Sequence, residues 1–220
     1  MLDHGFLALD GSLASDLAVV NGARVSFNQA SDEMDDRDAG LIRFLMRERH
    51  GSPFEHGYFR FVVKAPLFVV REHHRHRAGH SYNEWSGRYS KMEPEFYVPE
   101  NVRTQVGKPG AYTFEPVEDD VRENAQREIE ENATRAFQAY ERMLEQGVAK
   151  EIARAVLPLS TYTKYYWSCN PRSLMHFCSL RNHEAAQFEI RQYAAAAESF
   201  LEKQMPITHA AFVANDRVAP

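Results

Sequence analysis

The chain has 220 residues, 44% hydrophobic and 12% aromatic, enough to bury a full core as one domain over 1–220. A formal net charge of −5 argues against a nucleic-acid binder, whose surface usually carries a basic balance. No apolar run reaches the roughly 18 to 20 residues that cross a bilayer, and no basic-then-apolar leader opens the chain. The two cysteines, Cys169 and Cys178, form no Cys-x-x-Cys pair, so a cytoplasmic protein in a reducing compartment is expected, without membrane or nucleic-acid partners.

In chain order, Asp38 precedes Leu41, Ile42, Phe44, Leu45 and Met46, apolar at helical spacing. A helix is expected over 39–49, capped by Asp38 and ending at His50-Gly51. Tyr58 to Lys64 is aromatic and β-branched, as a strand would be, with Pro66 closing it. The stretch 67–76 leads into an Arg/His cluster, and the polar, Pro- and Gly-containing stretch 93–118 reads as irregular, a lid or an oligomer contact. Over 119–146, Val121, Ala125, Ile129, Ala133, Ala136, Tyr140 and Leu144 mark one face of a long helix, capped by Gly147. A short helix over 149–157 stops at Pro158, and a strand is expected over 161–167. Asn170-Pro171 is a helix cap followed by proline at the first helical position, and a last long helix should run from Glu184 to Gln204, before Pro206. Helices outnumber strands, no linker or low-complexity tract divides the chain, and no internal repeat is evident.

The densest chemistry lies between Arg75 and Tyr89, where three arginines, two histidines, Asn83, Glu84 and two serines fall within fifteen residues. Guanidinium forks suit phosphate oxygens, and the amide, carboxylate and hydroxyls could read a heterocycle, so the segment points to a nucleotide. The run Arg75-His76-Arg77, a spacer, then Ser81-x-Asn83-Glu84-x-Ser86-x-Arg88-Tyr89 resembles the signature of the flavin-dependent thymidylate synthases. Further blocks at 23–26 (Ala-Arg-Val-Ser), 50–56, 64–66, 153–158 and 170–181 follow in the order of that family. One departure is the spacer from Arg77 to Ser86, which holds eight residues where many members have seven; the extra residue falls around Ala78-Gly79-His80.

The resemblance implies an α+β fold with helices packed on a small, mostly antiparallel sheet. It implies nucleotide binding at Glu72, His73, His74, Arg75, Glu84, Trp85, Ser86, Gly87, Arg88, Arg154 and Arg181. Flavin binding is implied at Ser52, Glu55, Arg75, His76, Arg77, Asn83, Glu84, Asn170, Arg172 and His176, with His50 near the flavin. FAD as cofactor, NADPH and methylenetetrahydrofolate as co-substrates, and a homotetramer with sites shared between subunits are implied in the same way. No Gly-x-Gly-x-x-Gly or Gly-x-x-x-x-Gly-Lys-Ser/Thr is present, so neither a Rossmann nor a P-loop cradle can hold the cofactor.

Leu174, Phe177, Cys178 and Arg181 share a helical face, so Arg181 ends an apolar stripe. Read alone, it would reach for water or pair with a nearby Glu; under the resemblance it aligns with the catalytic arginine that contacts the uracil and promotes N3 ionisation. Arg154, alone, would be a helix-end cation. Arg172 and His176 lie four apart on the opposite face. His73, His74, His76 and His80 invite a metal, but adjacent histidines on a helix diverge by about 100° and neighbouring arginines repel an ion, so none is expected. Neither cysteine is placed as an activated thiolate, and Ser86 lacks a base to deprotonate it.

The expected activity is reductive methylation of uracil C5 in dUMP to give dTMP. An alternative keeps the chemistry and accepts UMP, as in nucleoside-antibiotic biosynthesis, with Ala78-Gly79-His80 lining the ribose pocket. A distant alternative is a non-enzymatic nucleic-acid-binding protein.

Overall fold

A computed structural model describes all 220 residues. The elements are β1 (Phe6–Ser12), α1 (Asp16–Arg24), α2 (Asp36–Arg47), β2 (Phe59–Pro66), α3 (Leu67–His73), β3 (His80–Glu84), β4 (Arg103–Lys108), β5 (Ala111–Pro116), α4 (Asp119–Glu145), α5 (Lys150–Ala153), β6 (Tyr162–Cys169), α6 (Pro171–Arg181), α7 (Phe188–Gln204) and α8 (Pro206–Ala214). Four strands form a sheet in the order β1-β2-β6-β3, and β4 pairs with β5 in a second sheet. The fold is α+β, helices on small antiparallel sheets. No helix is long and apolar enough to cross a membrane. Within the chain two compact units can be distinguished: residues 1–6, 64–71 and 84–164, and residues 7–63, 72–83 and 165–220.

The second unit is built on aromatic packing. Phe61 lies 4.9 Å from Trp167 and 5.8 Å from Phe59; all three are fully buried, as are Leu174, Phe177, Tyr193 and Phe212. Each such side chain contributes about 1.5–3 kcal/mol on burial. Helix α6 packs on α7, and α8 on both α2 and α7. Asp16, buried at the start of α1, accepts from the backbone N–H groups of Ile207 and Thr208 at 2.9 Å each and so caps α8 from a distance. That cap explains a correction: Pro206 was expected only to end a helix, yet it is the first residue of α8.

Other boundaries also move. The cap of α2 is Asp35, whose carboxylate accepts from Asp38 N at 2.8 Å while Asp38 reaches back to Asp35 N at 3.2 Å. Asp38 is therefore the inner half of a capping box, and it is buried in an ion pair with Arg24. Helix α7 starts at Phe188 and not Glu184, because 182–187 form a turn.

In the first unit, 93–118 is not irregular throughout, since Arg103–Lys108 and Ala111–Pro116 pair antiparallel from Lys108↔Ala111 to Arg103↔Pro116. Pro109-Gly110 makes the turn, with Gly110 at φ +86° where a side chain would be strained. Val106, Tyr112 and Phe114 of this hairpin are exposed. Of the expected stripe on α4 only Ala133 and Tyr140 are buried, joined by Phe137 outside it, while Val121 is 50% exposed.

Candidate active site

The nucleotide set divides between the two units, and each part is coherent by itself. In the second unit, α3 and the following turn meet the end of α6. Arg181 Nη1 donates to Glu72 Oε2 at 3.0 Å, and Arg181 Nε donates to His76 Nε2 at 3.0 Å. Burial raises the Glu72 carboxyl above its ordinary range, with Arg181 pulling the other way. Burial first, then the Arg181 cation, pushes His76 down to about 4, so at neutral pH its ring is uncharged. An inward cation at the end of the α6 stripe thus has its partners, as an apolar setting requires.

The turn is stapled by Tyr82, whose hydroxyl donates to His73 O at 3.1 Å and His76 O at 2.9 Å. His80 is packed nearby: Trp167 Nε1 donates to its Nδ1 at 2.9 Å, and burial lowers its pKa to about 4. The loop carrying the extra residue is pinned to the start of α6. Ser173 Oγ donates to Ala78 O at 3.0 Å, Asn170 caps the helix through Ser173 N at 2.8 Å, and Gly79 has φ +72°. A Cβ on Gly79 would collide with Ser173 Oγ and lie 3.0 Å from Asn170 Nδ2. Ala78-Gly79-His80 is therefore packed against Asn170 and Ser173 at the start of α6.

Arg172 leaves the opposite face of α6 and pairs with Glu55 at 2.5 Å. Its guanidinium lies over Gly51, where a Cβ would come within 2.5 Å of Nε. Arg172, Glu55 and the exposed Ser52 are thus brought together around a backbone that must lack a side chain. His176 is exposed, 6.2 Å from His76. His50, Arg75, Arg77 and Asn83 are exposed.

His73 does not join them. It is 1% exposed, its Nδ1 is 2.6 Å from Tyr165 Oη, and its ring packs 4.3 Å from Trp167 and 4.6 Å from Phe177. The His73 ring is thus enclosed in the aromatic core of this unit. His74 is half-buried beside Tyr82, 4.4 Å away.

In the first unit, Glu84 Oε1 accepts from buried Thr163 Oγ1 at 2.8 Å. Ser86 O accepts from Tyr89 N at 3.0 Å and Ser90 N at 3.1 Å, forming a tight turn whose Arg88 lies 5.0 Å over the Tyr89 ring. Gly87 is buried; a Cβ there would meet Met92 Sδ at 2.9 Å and Arg154 Cδ at 3.4 Å. Arg154 is therefore held against the turn that carries Ser86 and Arg88. Trp85, partly buried, packs against the cluster of Met92, Phe137, Tyr140 and Ala153.

Both cysteines are buried and free, and burial pushes both thiols well up. An inaccessible protonated thiol is a poor nucleophile.

A family model described as thymidylate synthase complementing protein matches residues 9–207. A flavin-dependent thymidylate synthase of Streptomyces coelicolor is 47% identical, covering 95% of this chain and 91% of its own. The chain belongs to the flavin-dependent thymidylate synthase family. Another member, from Kosmotoga olearia, is 42% identical over 97% of this chain and 92% of its own. Among solved structures, the UMP/dUMP methylase PolB from Streptomyces cacaoi bound with 5-Br dUMP is similar, with a TM-score of 0.92, 45% identity and coverage of 100% and 99% of the two chains. The same methylase bound with 5-Br UMP also gives 0.92, at 44% identity and coverage of 100% and 98%. Membership makes the chain a flavin-dependent enzyme that transfers a methyl group.

Sequence reasoning missed Trp167 and Tyr82, the side chains that fix His80 and the α3 turn. Neither gives a motif signal: the partner of Trp167 is distant in sequence, and Tyr82 bonds backbone carbonyls, which any residue supplies.

Proposed function

We propose that this chain methylates uracil C5 of dUMP to give dTMP, using FAD, methylenetetrahydrofolate as carbon donor and NADPH as reductant. The observation that carries the reading is Arg181, a half-buried guanidinium aimed by Glu72 and His76 within a chain of this family. In its role Arg181 stabilises negative charge developing on the pyrimidine, so no thiolate is needed. Arg75, Arg88 and Arg154 neutralise the phosphate, while Glu84, Ser86 and the Gly87 backbone orient the nucleotide.

The residues present fit a flavin. Gly51 and Gly79 keep the backbone bare beside Arg172 and Asn170, and Ser52, Glu55, Arg75, His76, Arg77, Asn83, Glu84 and His176 supply donors and acceptors for its pyrophosphate and ring, with His50 near them. When bound, the flavin supplies the hydride chemistry. The uncharged imidazoles of His76 and His80 add no positive charge near the ring.

UMP is proposed as a second substrate, because the similar methylase PolB is described with both nucleotides. A homotetramer is proposed as well, and the exposed Val106, Tyr112 and Phe114 support a contact between copies at the hairpin. The deciding experiment is an absorbance spectrum of the purified chain, followed by turnover of dUMP and UMP side by side. A colourless protein that fails to bind FAD at about micromolar levels, or one inert toward both nucleotides, overturns the proposal.

A further inference from the structure

We infer that His76 is a positioning residue for Arg181, acting through the lone pair of its Nε2. The inference rests on the proposed role of Arg181 toward the nucleotide. An arginine side chain can only donate, so the 3.0 Å contact from Arg181 Nε to His76 Nε2 requires an unprotonated Nε2 and places the imidazole proton on Nδ1. Protonating His76 would set two donors against each other. Burial and the groups facing His76, which are Arg181, His80 and His176, all disfavour that charge.

Two acceptors thereby define the guanidinium plane. Glu72 accepts from Nη1 and His76 from Nε, and Nη2 contributes a long contact of 3.5 Å to Glu72 O. One acceptor alone would leave the side chain free to rotate about that single bond. With both, orientation is set before the nucleotide arrives, and preorganised alignment is what a charge aimed at a transition state needs. His76 itself is held by the turn: Tyr82 Oη donates to its carbonyl at 2.9 Å, and its N–H donates to His73 O at 3.0 Å.

The test uses two polar replacements of similar bulk. In His76→Gln the side-chain oxygen reaches the position of Nε2, whereas in His76→Asn it stops near Nδ1. With each variant loaded with FAD and its flavin content measured, Asn should lose about tenfold to a hundredfold more kcat/KM for dUMP than Gln does, the range for removing a hydrogen bond to a charged group. Adding His76→Asn to Arg181→Ala should cost no more than about twofold further, because the positioned group is already gone. Calorimetric dUMP binding by the same proteins gives a readout besides turnover.

Equal losses in Gln and Asn, an Asn variant as active as the parent, or fully additive losses in the double variant overturn the inference while leaving the functional reading intact. A parent enzyme that neither binds dUMP nor methylates it overturns both.

Discussion

The indole N–H of Trp167 donates to Nδ1 of His80 at 2.9 Å, and because an indole has no acceptor, His80 is fixed with its proton on Nε2. The two rings are nearly parallel, 5.9 Å apart at 9°. A buried indole N–H left without an acceptor costs about 1–3 kcal/mol. His80→Leu should therefore lower stability by about that amount, while His80→Asn, which puts an oxygen near the Nδ1 position, should recover most of it. Denaturant unfolding of the three proteins checks this, and equal stability of the Leu variant and the parent would remove the bond from the account.

The same bond predicts a pH dependence. His76 and His80 have folded pKa values of about 4, and His73 lies well below its ordinary value through burial, against roughly 6.5 when unfolded. Between those values the unfolded chain binds more protons, so stability falls as pH falls. The contribution is fully present above pH about 6.5 and is progressively lost toward pH about 4. Melting curves from pH 7.5 to 4.5 should show a declining Tm, and NMR should find both imidazoles uncharged at pH 6. A Tm unchanged across that range contradicts the assignment.

Much of this was legible in the residues themselves. Asn170-Pro171 gave the start of α6, and the spacing of Leu174, Phe177 and Cys178 placed Arg181 at the end of its buried face. The partners of Arg181 were not legible, since Glu72 and His76 lie more than 100 positions away in sequence. The β4–β5 hairpin was missed because its strands are exposed on nearly every residue, so no alternation marks them. Only Pro109-Gly110 signalled a turn. The burial of His73 was not legible, because a motif match cannot distinguish an imidazole facing solvent from one facing Trp167.

Both cysteines sit in packed interior, Cys169 at 3% exposure and Cys178 at 0%. Replacing both with Ala should leave methylation within about tenfold of the parent while costing about 1–2 kcal/mol of stability per site, as small cavities do. Loss of three or more orders of magnitude, with flavin still bound, would restore a thiolate to the mechanism.

Gly79 carries the strain of the longer loop. Its φ of +72° is costly for other residues, and a Cβ there would collide with Ser173 Oγ at the α6 cap. Gly79→Ala should destabilise by about 1–3 kcal/mol and weaken FAD binding through Asn170. Chemical denaturation and fluorescence titration with FAD give the two numbers. An Ala variant with the parent's stability and FAD affinity would detach the loop from the cofactor set.

Arg181 is the decisive residue. Arg181→Ala removes the charge aimed by Glu72 and His76, and turnover should fall about 100-fold or more, in line with the loss of one preorganised electrostatic group. Flavin should stay bound, because His76 is the one residue assigned to FAD that is hydrogen-bonded to Arg181, and its backbone is still held by Tyr82. Arg181→Lys should recover little, since one ammonium cannot donate along two fixed directions to Glu72 Oε2 and His76 Nε2 while also facing the pyrimidine. Steady-state kinetics with dUMP, alongside the flavin absorbance of each variant, separates the cases. Parent-like rates in either variant take Arg181 out of the mechanism, whereas a colourless Ala variant places it in the flavin site.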